Sequence, residues 1–349
     1  MLIFRHHIRF CLLLIGATLA SGSTASAQYN DEVVQRGSTA GSRITVRCQI
    51  IDYTGSKLTA RSANSTRPFE IDASEVITIR TAQTTPHTDG MKAFDEGQTR
   101  DAETQLTEAI KVEPRVWMRR EILAVLIRCA LKRNDYLTAG TRFQLLIESD
   151  PDTAYVNLIP LLWNDSAAEG ETREAAIAWL KDEKPVARLL AASWLFFDAG
   201  HSEASLAVLT ELARTPGERV RQLANWQRRR LQIRTLSISE FDLQRWDSTL
   251  ENLEPGLRAG PYFLLGRGYL VRQDFEMAAA TFLKAPLIHD SEHPLNAECT
   301  LEAGRALARI GLRAEAAQLF AEVLDRYSYA AVADEAREEF DQLTAKKAN

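Results

Sequence analysis

The spacing in this chain that most invites chemistry is His289-Asp290-Ser291-Glu292-His293. It matches H-x-x-E-H, in which a helix turns two histidines toward one zinc ion. That chemistry needs helical geometry. Pro286 and Pro294 bracket the stretch, and a proline after His293 biases that residue toward extended backbone. The stretch is therefore expected as a loop without metal. Gly266-Arg267-Gly268 is half of a phosphate-binding glycine pattern, but it falls inside a helical period, where glycine serves close packing. No G-x-S-x-G, Walker or H-E-x-x-H spacing occurs. His201 follows Gly200 and reads as a turn residue. No catalytic residue, cofactor or metal is expected.

The densest charge feature is Arg228-Arg229-Arg230, with Arg219, Arg221 and Arg234 nearby. On a helix these side chains wrap around most faces. They read as a solvated helix paired with acids such as Glu218, Glu240 and Asp242. The functional alternative is a contact for an anionic partner: an acidic peptide, phospholipid heads or an envelope polymer. Trp226 either packs in the core or anchors that contact. Trp117, Trp163, Trp179 and Trp194 read as gap fillers between helices.

The elements that must position these residues begin with a leader. Arg5, His6, His7 and Arg9 precede the apolar stretch Phe10 to Ala20, and Ala25-Ser26-Ala27 supplies a small-residue cleavage pattern. Together these predict a secretory signal peptide over residues 1–27. The apolar stretch is too short for a bilayer core of roughly 30 Å. The chain is thus expected in the periplasm or outside the cell. Removing Arg5 and Arg9 leaves 40 basic against 47 acidic residues, a net charge of −7. That balance argues against generic nucleic-acid binding. Cys48, Cys129 and Cys299 remain, widely spaced. They read as small buried hydrophobes, not as a disulfide or zinc framework.

Residues 28–42 are rich in Ser, Gly, Thr and Gln and read as a flexible leader. Ile44, Val46, Cys48 and Ile50 then alternate with polar residues, the period of a half-buried strand. Shorter strands follow at Lys57–Arg61, Phe69–Asp72 and Glu75–Arg80, the last with Ile77 and Ile79 on one face. Four such strands suggest a meander or small SH3-like barrel. Residues 28–82 form too small a module to be robust alone and should lean on the helices that follow, or on a second copy.

From Thr85 onward helical periods separated by short polar turns run to the end. Tyr262, Leu265, Gly266, Tyr269, Ala278, Phe282 and Ala285 repeat small and large residues at fixed offsets. In types and spacing together they resemble seven signature positions of the tetratricopeptide repeat. The proline expected at the repeat's end is Asp290 instead, and Pro286 should stop the helix early. Gly304, Leu307, Ala316 and Phe320 keep the offsets in the next repeat. Upstream, Gly90, Ala102, Leu106, Ala109 and Pro114 fit one repeat, and Leu123, Leu126, Ala139, Phe143 and Pro151 another, with Ile127 at the small position. A degenerate copy fits 185–218. Residues 219–258 are helical without the signature, residues 154–184 fit no repeat, and Ala331–Leu343 reads as a capping helix.

The domain reading is therefore 28–82 as leader and β module, then 83–153, 154–258 and 259–349 as helical repeats. The fold class is mostly α, a TPR-like α-α superhelix after a small antiparallel β module. The resemblance implies a non-enzymatic scaffold for protein partners. The family's carboxylate clamp is not supported, because its Asn and Lys set is absent. The outward positions of the first helices give Arg128, Lys132, Phe263, Arg267, Val271, Leu301, Arg305 and Arg309. That mixture of cations and apolar groups suits an acidic peptide partner. The alternative is a structural envelope protein that forms homo-oligomers through its β module.

Overall fold

Val33 and Val34 sit in a short apolar pair that the surrounding Ser and Gly content hides, and the structure corrects the leader reading at this point. In the computed structural model, which describes residues 31–39, 41–62, 65–288 and 293–345, they lie on a strand, β1 (Asp31–Arg36). β2 (Arg43–Tyr53), β3 (Lys57–Arg61), β4 (Phe69–Asp72) and β5 (Val76–Arg80) complete one antiparallel sheet in the order β4-β3-β2-β1-β5. β1 to β4 form a meander, and β5 returns to the open side of β1. The Asp31 carboxylate accepts the Ile50 amide at 2.8 Å and so ties the start of β1 to β2. The expected signal peptide lies outside the described residues.

Two slips in the pairing explain which apolar side chains face outward. Val34 pairs with Thr78 and Gln35 with Val76, which leaves Ile77 bulged between them. Ile79 faces inward and Ile77 does not; it is 42% exposed. The shared face expected for that pair is thus corrected. A second slip between Ile50 and Asp52 turns Ile51 out.

Fourteen α-helices follow among the described residues. The first two pairs are α1 (Thr85–Asp95) with α2 (Thr99–Val112), and α3 (Val116–Lys132) with α4 (Tyr136–Ser149). α5 (Gly170–Trp179), α6 (Pro185–Trp194), α7 (Ser202–Leu212), α8 (Glu218–Arg234) and α9 (Glu240–Glu251) form the middle. α10 (Ala259–Val271) pairs with α11 (Phe275–Ile288), and α12 (Pro294–Arg309) with α13 (Arg313–Arg326), before the terminal α14 (Ala333–Ala345). Neighbours in sequence pack on one another through most of this run, and α8 and α9 both pack on α10. α11 runs two residues past Pro286, where an early stop was expected. Pro286 lies in the last turn, and its buried ring offsets the missing amide donor.

Small-on-large contacts hold the pairs together. A Cβ on Gly266 would lie 2.7 Å from the Phe282 ring, and one on Gly304 2.5 Å from the Phe320 ring. These positions need glycine because the helices cross there. The sheet shares a core with α1 to α3 through Cys48, Leu58, Leu106 and Trp117. Arg120, buried on α3, donates to Asp52 at 2.8 Å, to the Tyr53 carbonyl at 3.0 Å and to Ser149. The β module therefore leans on the helices, as its size requires.

Candidate functional site

The leading helices of the later pairs, α6, α8, α10 and α12, carry an unusual set of inward polar side chains. They meet an extended stretch, residues 159–168, that continues from a 3₁₀ turn at Ala154–Leu158. Ile159, Leu161, Leu162 and Trp163 in that stretch are all buried. No helical or strand period marks it in the sequence.

Each helix grips the stretch with its own residues. From α6, the Trp194 indole donates to the Pro160 carbonyl at 2.7 Å, and the Ser193 hydroxyl accepts the Leu162 amide at 3.0 Å. From α8, Gln227 donates to the Leu162 carbonyl at 3.1 Å, and Arg230 donates to the Asn164 carbonyl at 2.6 Å. From α10, Gly260 makes room for Trp163, since a Cβ there would lie 1.9 Å from the indole. Arg267 on the same helix pairs with Asp165 at 3.2 Å. From α12, Glu298 accepts the Asn164 side-chain amide at 3.0 Å.

Most of these bonds address main-chain carbonyls and amides. Those bonds read an extended backbone, while the contacts of Gly260, Arg267 and Glu298 read the side chains of residues 163–165. The main-chain bonds also explain the buried charge. Arg230 is 1% exposed and spends its donors on the carbonyls of Asn164, Ser166 and Ser193 and on the Gln227 amide. Burial pulls its pKa down to about 9. Burial raises the Glu298 carboxyl to about 7.

The residues expected to line an open groove are placed differently from one another. Phe263 and Leu301 are in the core, at 2% and 1% exposure, and that part of the expectation is corrected. The repeat register alone cannot tell an outward position from one covered by a later segment. Arg267 is engaged by Asp165, and Arg305 by Glu302, Glu335 and Glu339 at 2.9, 2.7 and 2.9 Å. Arg128 lies 5.9 Å over the Tyr155 ring. Lys132 on α3 lies 4.6 Å over Phe94 and 5.3 Å over Tyr329, in the turn before α14. Val271 is half-buried. Arg309 is exposed, beside Ile310 and Leu312, which are 41% and 42% exposed.

The arginines of this region fall into four settings. Arg230 belongs to the grip on the stretch. Arg219 pairs with Glu254 at 2.8 Å and donates to the Pro151 carbonyl. Arg234 lies 4.5 Å over the Phe197 ring, while Arg228 and Arg229 face a separate cleft.

Of the H-x-x-E-H stretch, residues 289–292 lie outside the described residues. His293 is buried, and its Nδ1 accepts the Leu295 amide at 3.1 Å, capping α12. Burial brings its pKa down to about 4. His201 sits at the turn before α7 with Nδ1 2.7 Å from Asp198. Cys48, Cys129 and Cys299 are buried and unpaired, and burial pushes the first two thiols up to about 11. A thiol held that high is not a nucleophile near neutral pH. No helix among the described residues is long and apolar enough to cross a membrane.

No protein-family model and no curated protein matches the chain.

Proposed function

We propose that this protein is a non-enzymatic scaffold of the tetratricopeptide-repeat type, exported to the bacterial cell envelope, where it holds protein partners. One observation carries the reading. Two leading helices, α6 and α8, hold an extended polypeptide through its main chain, and α10 and α12 engage its side chains, a helical surface that accommodates an extended peptide. Here the occupant is the chain's own residues 159–168. A partner surface left open lies at the end of α12 and the turn to α13, where Arg309 stands beside exposed Ile310 and Leu312. A cation flanked by apolar groups suits an acidic peptide with apolar anchors. The export part rests on the N-terminal basic, apolar and Ala-Ser-Ala pattern.

A photoreactive residue placed at Arg309 or Ile310 in the producing cell tests this. A discrete protein adduct at those positions, absent when the probe stands at exposed Gln244 on α9, is the expected result. Identical labelling at all three positions, or none, would overturn the reading.

A second reading has one observation in its favour. The sheet exposes Ile44, Ile51 and Ile77, apolar groups that self-association would cover. Sedimentation of the parent against an Ile44→Lys/Ile77→Lys variant separates the two. A dimer lost in the variant favours assembly through the β module, and a monomer in both removes that reading.

A further inference from the structure

A cleft of about 580 Å3 lies at the seam of α8 and α9, apart from the grip on residues 159–168. Trp226, Arg228, Arg229, Arg245, Trp246 and Asn252 are among its walls. Three donors within four residues of α8 are buried without an acceptor: Trp226 Nε1, Arg228 Nε and Arg229 Nη1. Trp226 itself is 1% exposed. Buried donors are almost always matched, because an unmatched one forgoes its hydration for nothing. Three together on residues lining one cleft suit an oxygen-rich ligand.

The charge balance points the same way. Arg229 lies 3.7 Å from the Trp226 ring and 5.1 Å from the Trp246 ring, contacts that hold a guanidinium without neutralising it. Among the described residues, no ion pair joins Arg228 or Arg229 to a carboxylate. The neighbouring Arg230 shows the contrast, with its donors all directed at carbonyls and an amide. Arg245 meets Asp242 at 2.8 Å. Burial first, and then Arg245, pulls the Arg229 guanidinium down to about 10, as befits a cation short of negative charge. Three guanidinium groups against one carboxylate leave about two positive charges, and a phosphate monoester carries about −1.5 to −2 near neutral pH.

We propose that this cleft binds the phosphate monoester of a small polar molecule, whose phosphate oxygens accept from Trp226, Arg228 and Arg229. Asn252 and the other uncharged polar walls would then face the hydroxyl-bearing body of the ester. The size of the cleft fits a small-molecule ligand. Three donors match the three terminal oxygens of a phosphate monoester, where a carboxylate offers two. The site is independent of the scaffold reading, since it lies on another face and uses none of the same residues.

The test is a low-salt titration followed by tryptophan fluorescence and phosphorus NMR, with inorganic phosphate and glucose 6-phosphate as probes. Glucose and succinate are the controls. Saturable binding of both phosphates is expected, tighter for the ester, with no response to glucose. Arg229→Gln should weaken the binding by about tenfold or more, the effect of losing one charge-assisted contact. Trp226→Phe keeps the aromatic contact, removes the indole donor and should weaken binding severalfold. Should Arg229→Gln fail to fold by circular dichroism, Arg228→Gln, on a half-buried side chain, carries the same expectation. The proposal is overturned by no saturable response to either phosphate, by unchanged affinity in folded variants, or by succinate binding as tightly as the ester.

Discussion

Glu298 sits where α12 meets the stretch 159–168, with one hydrogen bond from Asn164 to answer its charge. Burial lifts its carboxyl from an ordinary 4.5 to about 7. Protonation is therefore easier in the folded chain than in the unfolded one. The resulting stability is fully present below about pH 4.5 and is lost as pH rises through about 7. A Glu298→Gln variant should match the parent near pH 4.5. At pH 8 it should be more stable, by about 2–3 kcal/mol for a shift of this size. Urea unfolding of both proteins across that range checks the sign, and a constant difference would contradict it. Gly266 gives a second expectation at this scale. Its alanine variant gains about 1 kcal/mol of helix propensity, but the Cβ would press on Phe282 at 2.7 Å, and overpacking costs about 1–3 kcal/mol. A net loss of stability follows; a higher urea midpoint would refute the tight crossing. The need for glycine at 266 and 304 was readable, because the partner ring recurs at a fixed offset. The role of Arg230 was not. Its acceptors in the stretch are the Asn164 and Ser166 carbonyls, more than sixty positions away, and nothing in a carbonyl's sequence marks it.

A local start signal marks α9: Ser239, a residue type favoured at N-caps, forms a full capping box with Asp242. Ser239→Ala should cost about 1 kcal/mol, measured by thermal or urea unfolding; an unchanged midpoint would mean that packing alone fixes that start. β1 was lost in the reading because a strand of six residues among Ser and Gly carries too short an alternation to stand out. Pairing on both sides, with β2 and β5, makes it a central strand of the sheet. β5 was found, but its face was misassigned, because a bulge shifts the period of two by one residue and leaves no mark in composition.

At the scale of the whole molecule, the repeat register predicts which helices lead and which follow, but not what covers them. Residues 154–184 fitted no repeat because part of them is not repeat at all. Residues 159–168 lie extended across α6, α8, α10 and α12, anchored by Ser193, Trp194, Gln227 and Arg230. Lys132 on α3 lies over Tyr329, in the turn before α14. A surface that the repeat pattern would leave open for partners is thus largely filled by the chain itself, and the exposed remainder at Arg309 carries the partner expectation. Hydrogen exchange of the purified chain tests that filling most directly. The Leu162 and Ala168 amides donate to the Ser193 hydroxyl and to the Trp194 carbonyl, so both should exchange as slowly as the middle of α6, through global unfolding alone. Exchange of these two amides at loop rates, with α6 and α10 still protected, would mean that the stretch leaves the helices freely and would contradict the account.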